Sequence, residues 1–337
     1  MYQRFYGLRE LPFEITPNPK FLFLTPGHRE ALSNLHYGVT SAKPLTVLLG
    51  EAGTGKTTLL RTAFESEQCR HVRWVYLNNP ILTREDFVKT LAARFGLGAQ
   101  AMDSKFVFLD ELERVLQEHR SRDEIVALVV DEAQSLSNDL LEEIRLLTNI
   151  ETATEKLLLL VLAGQPEFAV RLNDPELRQL KQRVALRCEI APFGLQETGA
   201  YIASRVVTAG GDSSRLFTRE AVRAIHEHSR GIPRTINVIC DNALLGGLAL
   251  GRQPVDQEIV MDVVGDFDLA PAQAGGRTTD EARTAGAVPE RFEPPPPSRD
   301  DEEPQSRALF EQIANPRRFA LSAPAGDDSR RRNENRR

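Results

Sequence analysis

Gly50-Glu51-Ala52-Gly53-Thr54-Gly55-Lys56-Thr57 sets three glycines, a lysine and a hydroxyl at the spacing of a loop that cradles phosphates. The glycines let the backbone curl until successive N–H groups point inward, and a helix opening at Lys56 adds the positive end of its dipole. Lys56 would reach the β- and γ-phosphates of a nucleotide, and the Thr57 hydroxyl would ligate Mg²⁺, with Thr58 in the same first turn. Every fixed position of G-x-x-x-x-G-K-[ST] is matched, after an apolar run and before a helical pattern. That context separates a P-loop from a chance Gly-rich turn. The chemistry it predicts is binding of a nucleoside triphosphate with Mg²⁺.

About 75 residues on, Ala127-Leu128-Val129-Val130 is an apolar strand pattern that ends in Asp131-Glu132. A buried strand delivers its last side chains to the carboxyl edge of a parallel sheet, where open α/β folds bind ligands. There Asp131 is placed to join an Mg²⁺ shell and Glu132 to polarise an attacking water. Asp-Glu after a strand is also a common capping turn; the P-loop upstream favours the chemical reading. An intact Glu132 points to hydrolysis and not to nucleotide sensing alone. Leu162-Ala163-Gly164-Gln165 ends another apolar strand, so the Gln165 amide emerges at the same edge, to orient that water or to report the γ-phosphate. Arg183 precedes a fifth strand, and Arg234 opens a later helix in Gly231-Ile232-Pro233-Arg234. Either could stabilise charge on a transferred phosphoryl group; read from the residues alone, each is first of all a surface arginine.

These groups need a scaffold, and the chain carries one. Strand patterns at 46–49, 72–77, 125–130, 157–163 and 184–190 alternate with helical patterns at 56–66, 84–95 and 106–119. Such alternation predicts an α/β domain with a parallel sheet. After Pro192 the strands stop. Helical periodicity runs through 195–208, 218–228, 233–250 and 255–264, with Thr218 as an N-cap. The expected layout has residues 1–45 as an N-terminal segment and helix packed on the core. A nucleotide-binding α/β domain then covers 46–192, a small all-helical lid 193–267, and a tail 268–337.

The formal net charge is −6, from 42 basic and 48 acidic side chains. Residues 270–337 hold nine of the twenty prolines, no lysine, and equal numbers of basic and acidic groups. The whole −6 therefore belongs to the preceding part. A Pro-rich segment with few large apolar residues cannot offset the entropy of ordering, which predicts a disordered tail. Within it, residues 308–313 could dock as a short helix, and the Arg330-Arg331-Arg332 and Arg336-Arg337 end is basic. Cys69, Cys188 and Cys240 lie far apart without metal-site spacing, which argues against a disulfide framework or a zinc site and for a reducing cytoplasm. The longest apolar run, 157–163, is seven residues, against roughly 18 for a spanning helix. No signal segment or integral membrane segment is expected, and the acidic balance disfavours tight DNA binding.

Taken in order, the P-loop, Asp131-Glu132, Gln165, Arg183 and Gly231-x-Pro233-Arg234 resemble an AAA+ ATPase. More narrowly, the N-terminus resembles the ExeA family, ATPases of general secretion pathway component A and related pilus and exopolysaccharide systems. That resemblance rests on Phe5-Tyr6-Gly7-Leu8, Pro12-Phe13, Thr16-Pro17-Asn18-Pro19, Phe21-Leu22 and His28-Arg29-Glu30-Ala31-Leu32. Asp131-Glu132-Ala133-Gln134 and Gly164-Gln165-Pro166-Glu167 add to it, and it covers about residues 1–267. It implies a P-loop AAA+ module with a five-stranded parallel sheet ordered 5-1-4-3-2. It also implies ATP as the nucleotide, Gln165 as a sensor of the γ-phosphate, Arg234 as a second sensor on the lid, and Arg183 as a finger acting on the next protomer of a homo-oligomer. The N-terminal aromatics are expected to pack the helix near His28 onto the sheet and to touch adenine. Longer family members carry a transmembrane helix and a periplasmic peptidoglycan-binding domain after the ATPase; here the Pro-rich tail stands instead, so a direct peptidoglycan role is not expected.

The expected function is a cytoplasmic ATPase, recruited to the inner membrane through partners, that drives assembly of a secretion, pilus or polysaccharide-export apparatus. Two other classes remain open. One is a DNA-associated regulator of the transposition type, for which Arg178, Lys181, Arg183 and Arg187 could form a basic stripe. The other is an ATP-gated adapter whose tail carries the interaction.

Overall fold

A computed structural model describes residues 2–267 except 17 and 79–81. The tail, with its 308–313 peptide and its basic end, lies outside the described residues. Five strands form one parallel sheet: β1 (Leu45–Gly50), β2 (Val72–Leu77), β3 (Ile125–Val130), β4 (Leu158–Gly164) and β5 (Leu186–Ile190). Their order is β2-β3-β4-β1-β5, the expected 5-1-4-3-2 read from the other edge. The strands begin and end within two residues of the sequence expectation.

Helices α1 (Gln3–Tyr6) and α2 (Pro26–Thr40) precede the sheet, and α3 (Lys56–Phe64) follows the glycine-rich turn. Between β2 and β3 lie α4 (Arg84–Phe95), the single turn α5 (Gln100–Asp103) and α6 (Lys105–Arg120). Helix α7 (Asn138–Leu147) joins β3 to β4, and the short α8 (Pro166–Arg171) and α9 (Arg178–Arg183) lead to β5. The rest is helical: α10 (Leu195–Thr208), α11 (Ser213–Leu216), α12 (Arg219–Ser229), α13 (Pro233–Leu250) and α14 (Gln257–Asp266). Thr218 caps α12 as expected, its hydroxyl accepting from the Ala221 N–H at 3.1 Å. No helix among the described residues is long and apolar enough to cross a membrane. The three cysteines are free and buried.

Side chains alternate across the strands, as the two-residue period demands. Val47, Leu128, Leu160 and Leu162 face a core closed by Phe87, Leu91, Leu112, Leu116 and Ile144 of α4, α6 and α7. Leu48, Val129, Val161 and Ile190 face the other way, onto Leu35 and Val39 of α2 and Leu59, Leu60 and Phe64 of α3. Both faces of the sheet are therefore covered, which is what an all-parallel sheet requires.

The N-terminal aromatics depart from expectation. Tyr2, Tyr6, Phe13 and Phe21 do not seat α2 on the sheet; they enter a third core with Phe193, Tyr201, Ile236, Cys240 and Leu244 of the helical part. The physical reason is occupancy: α2 and α3 already cover that sheet face, while helices α10 to α14 leave a shared apolar surface that the aromatic strap fills. Arg205 fastens it. Its guanidinium donates to the Pro12 carbonyl at 2.5 Å and the Tyr201 hydroxyl at 2.5 Å, and sits 4.9 Å from the centre of the Phe21 ring.

Candidate nucleotide site

The register of the sheet brings the catalytic candidates to one edge. Leu49 pairs with Gly164, Gly50 with Ile190, Leu77 with Val130, and Val130 with Leu162. The P-loop, Asp131-Glu132 and Gln165 thus leave β1, β3 and β4 at the same carboxyl edge. Gly53 and Gly55 have φ of +83° and +100°, conformations L side chains rarely adopt. At Gly53 the space is closed as well: a Cβ would lie 2.8 Å from Cβ of Arg234. Arg234 N–H also donates to the Gly53 carbonyl at 3.3 Å, so the lid rests on the loop backbone.

Lys56 is 4% exposed, and its Nζ donates to the Gly50 and Glu51 carbonyls at 2.8 and 3.1 Å. Burial lowers its pKa, opposed by the carboxylates of Glu132, Asp131, Glu51 and Glu167. The Thr57 hydroxyl donates to Asp131 Oδ2 at 2.6 Å, and the Tyr76 hydroxyl of β2 donates to the same oxygen at 2.8 Å. Burial first, and then the Asp131 carboxylate, push the Tyr76 phenol above its usual range, so it stays protonated and remains a donor. Thr57 and Asp131 therefore present two hard oxygens side by side. This is a donor set that suits Mg²⁺, which takes one or two protein oxygens and completes its shell with phosphate and water. No cluster of three or more His, Cys, Asp or Glu able to hold a metal occurs among the described residues.

Glu132 adopts φ +56° and ψ +40° immediately after the strand. Its Oε2 accepts from Gln134 Nε2 at 2.5 Å, and the Gln165 side-chain amide lies 3.4 Å from the same oxygen. Gln165 is thus turned toward the acid. Arg183 ends α9, where it donates to Asn149 Oδ1 at 2.9 Å, and it does not line the cleft. Arg234 does line it and is exposed. Of the other basic residues suggested as a stripe, Lys181 is bonded to Asn173 and Arg187 lies 3.6 Å from Glu189.

The cleft has a volume of about 400 Å³, within the usual range for a small-molecule site. Three walls form it: the P-loop with Lys56, Thr57 and Thr58; the strap at 14–16, 18 and 21–24; and the lid through Phe193, Tyr201, Arg205 and Asn237. His28 is a site residue that spacing did not reveal. Its Nε2 lies 3.2 Å from the Thr54 carbonyl of the P-loop, and its Nδ1 lies 2.7 Å from the Thr25 hydroxyl. Tyr76 and Gln134 were missed too. Each sits beside a recognised acid: Tyr76, at the end of the neighbouring strand, belongs to no motif, and Gln134 stood in the Asp131-Glu132-Ala133-Gln134 string without a role of its own.

Residues 39–172 match the family model described as AAA domain. Over 276 residues the chain is 38% identical to general secretion pathway protein A of Aeromonas hydrophila, covering 82% of this chain and 49% of that protein. The chain thus spans about half the length of that relative. Among solved structures, the Aeropyrum pernix ORC2 protein in its ADPNP-ADP complexes superposes with a TM-score of 0.57 at 16% identity, covering 76% of this chain and 71% of the other. Cdc6p of Pyrobaculum aerophilum gives 0.57 at 20% identity, covering 76% and 70%. At those identities the likeness is one of fold. With its P-loop cleft, its sheet order, the matched AAA domain and the identity across most of its length, the chain belongs to the ExeA-type family of AAA+ ATPases.

Proposed function

We propose that the chain binds ATP with Mg²⁺ and hydrolyses it to ADP and phosphate, as an oligomeric motor or switch in the assembly of a bacterial envelope system. The observation that carries the chemistry is the convergence of Lys56, Thr57, Asp131 and Glu132 at one sheet edge, with the Thr57 hydroxyl 2.6 Å from Asp131. Loop N–H groups and Lys56 would hold the β- and γ-phosphates, and Thr57 with Asp131 would hold Mg²⁺. When bound, Mg²⁺ neutralises charge that develops on the transferred phosphoryl group. Glu132 would take a proton from the attacking water, with Gln165 orienting it. Arg234, on the lid beside Gly53, would neutralise phosphate charge and report closure. Catalysis of this kind is mostly positioning and electrostatics.

The envelope role rests on the relative, named for the general secretion pathway. On this reading the protein is cytoplasmic, is recruited to the inner membrane by a partner, and works as a homo-oligomer with nucleotide between copies. Lys56→Ala should abolish binding of a fluorescent ATP analogue, and Glu132→Gln should keep binding and lose phosphate release. Full turnover in Glu132→Gln would overturn the assignment of the base.

A further inference from the structure

Glu132 is tied to the end of β4 through one neighbour, Gln134. Gln134 Nε2 donates to Glu132 Oε2 at 2.5 Å, while Gln134 Oε1 accepts the backbone N–H of Gln165 at 3.0 Å. A single planar side chain therefore spans the gap from the acid after β3 to the first residue after β4. Two further features fit this span. Gly164 leaves it room, since a Cβ there would come within 3.2 Å of Gln134 Oε1. The loop that carries Gln134 is clamped from outside by Arg171, which donates to the Gln134 and Leu136 carbonyls at 2.7 and 2.8 Å and to Asn138 Oδ1 at 2.7 Å. Glu132 itself occupies the left-handed region that a residue with a side chain disfavours, so its placement depends on the contacts that hold it.

We infer that Gln134 is a positioning residue: it orients the Glu132 carboxylate and transmits to it any displacement of the β4 terminus. The inference rests on the reading of Glu132 as the general base. Gln134 does not line the cleft, so its loss acts on turnover and spares nucleotide affinity. Because Arg171 holds the loop through backbone carbonyls, substitution of the Gln134 side chain leaves that clamp in place.

The test compares wild type, Gln134→Ala, Gln134→Glu and Glu132→Gln in steady-state ATP hydrolysis and in binding of a fluorescent ATP analogue. Gln134→Ala should lower kcat by about 10- to 100-fold, the cost of a misoriented catalytic group, with affinity unchanged. Gln134→Glu keeps the acceptor for Gln165 N–H but sets two carboxylates face to face. Repulsion between them should move Glu132 off its place and lower kcat at least as far as in Gln134→Ala, again with affinity unchanged. A merely structural role would lower affinity and stability together with kcat. Wild-type kcat in Gln134→Ala beside an inactive Glu132→Gln overturns the positioning role and leaves hydrolysis standing. A wild-type protein that binds ATP without hydrolysing it overturns hydrolysis and the positioning role with it. Should Gln134→Ala fail to fold, wild-type kcat in Gln134→Glu overturns the proposal.

Discussion

His28 is where loop, helix and lid meet. A carbonyl partner at Thr54 requires hydrogen on Nε2, so Nδ1 accepts from the Thr25 hydroxyl, and the neutral imidazole satisfies both contacts. Its ring also lies 5.6 Å from that of Phe193 on the lid. Burial lowers the His28 pKa from 6.5, opposed by the Thr54 carbonyl and the charge of Glu197. As pH falls through 6.5 the unfolded chain takes up a proton that folded His28 refuses. Stability is therefore complete above that value and declines below it until the folded group titrates. His28→Gln should lose stability less steeply between about pH 7.5 and about pH 5.5 in urea denaturation; His36, also lowered by burial, stays in both proteins and cancels. Equal slopes would show that His28 does not contribute. The phosphate and acid residues were legible because their chemistry sits in contiguous motifs. His28 stood only within an N-terminal string, and nothing in its spacing says that it reaches a carbonyl 26 positions on.

Arg205 ties the strap to the helical lid, and the consequence is measurable. In Arg205→Ala the buried Pro12 carbonyl loses its charged donor and the Tyr201 hydroxyl loses a neighbour. A cost of about 2–3 kcal/mol is expected for removing hydrogen bonds to a charged group, read by urea denaturation. Arg205→Lys should recover only part, because one ammonium cannot serve a carbonyl, a hydroxyl and a ring together. A loss under about 0.5 kcal/mol, the range of neutral surface changes, would mean that the aromatics alone hold the strap. The same region marks the limit of sequence reading. Alternation and apolar runs located all five strands, since a buried parallel strand writes its burial into consecutive residues. Helix α7 was overlooked although Ser137, with Leu140, Leu141, Ile144 and Leu147, supplies both cap and stripe. For the strap the failure was of another kind. Tyr2, Tyr6, Phe13 and Phe21 are plainly core residues, but an apolar side chain does not name its partner. The choice of lid over sheet follows from which surface the other helices leave uncovered.

Arg183 bears on how copies of the chain would work together. It ends α9 with its guanidinium on Asn149 and does not line the cleft of its own chain. A role in phosphoryl transfer would therefore have to be exercised on another copy's nucleotide, through a head-to-tail contact that joins one chain's P-loop to the next chain's α9. Such an arrangement has a consequence that no monomeric enzyme shares. Arg183→Ala retains an intact P-loop but offers no arginine, and Lys56→Ala offers the arginine but cannot hold nucleotide. Each alone should be inactive, with Arg183→Ala still binding the ATP analogue. Mixed in equal amounts, they form some interfaces that combine the intact P-loop of one with the Arg183 of the other. Random mixing makes about a quarter of interfaces competent, so phosphate release should rise to about a quarter of the wild-type rate. A mixture no more active than the sum of its parts would exclude action between copies. Equal wild-type activity in Arg183→Ala alone would remove the arginine from catalysis altogether.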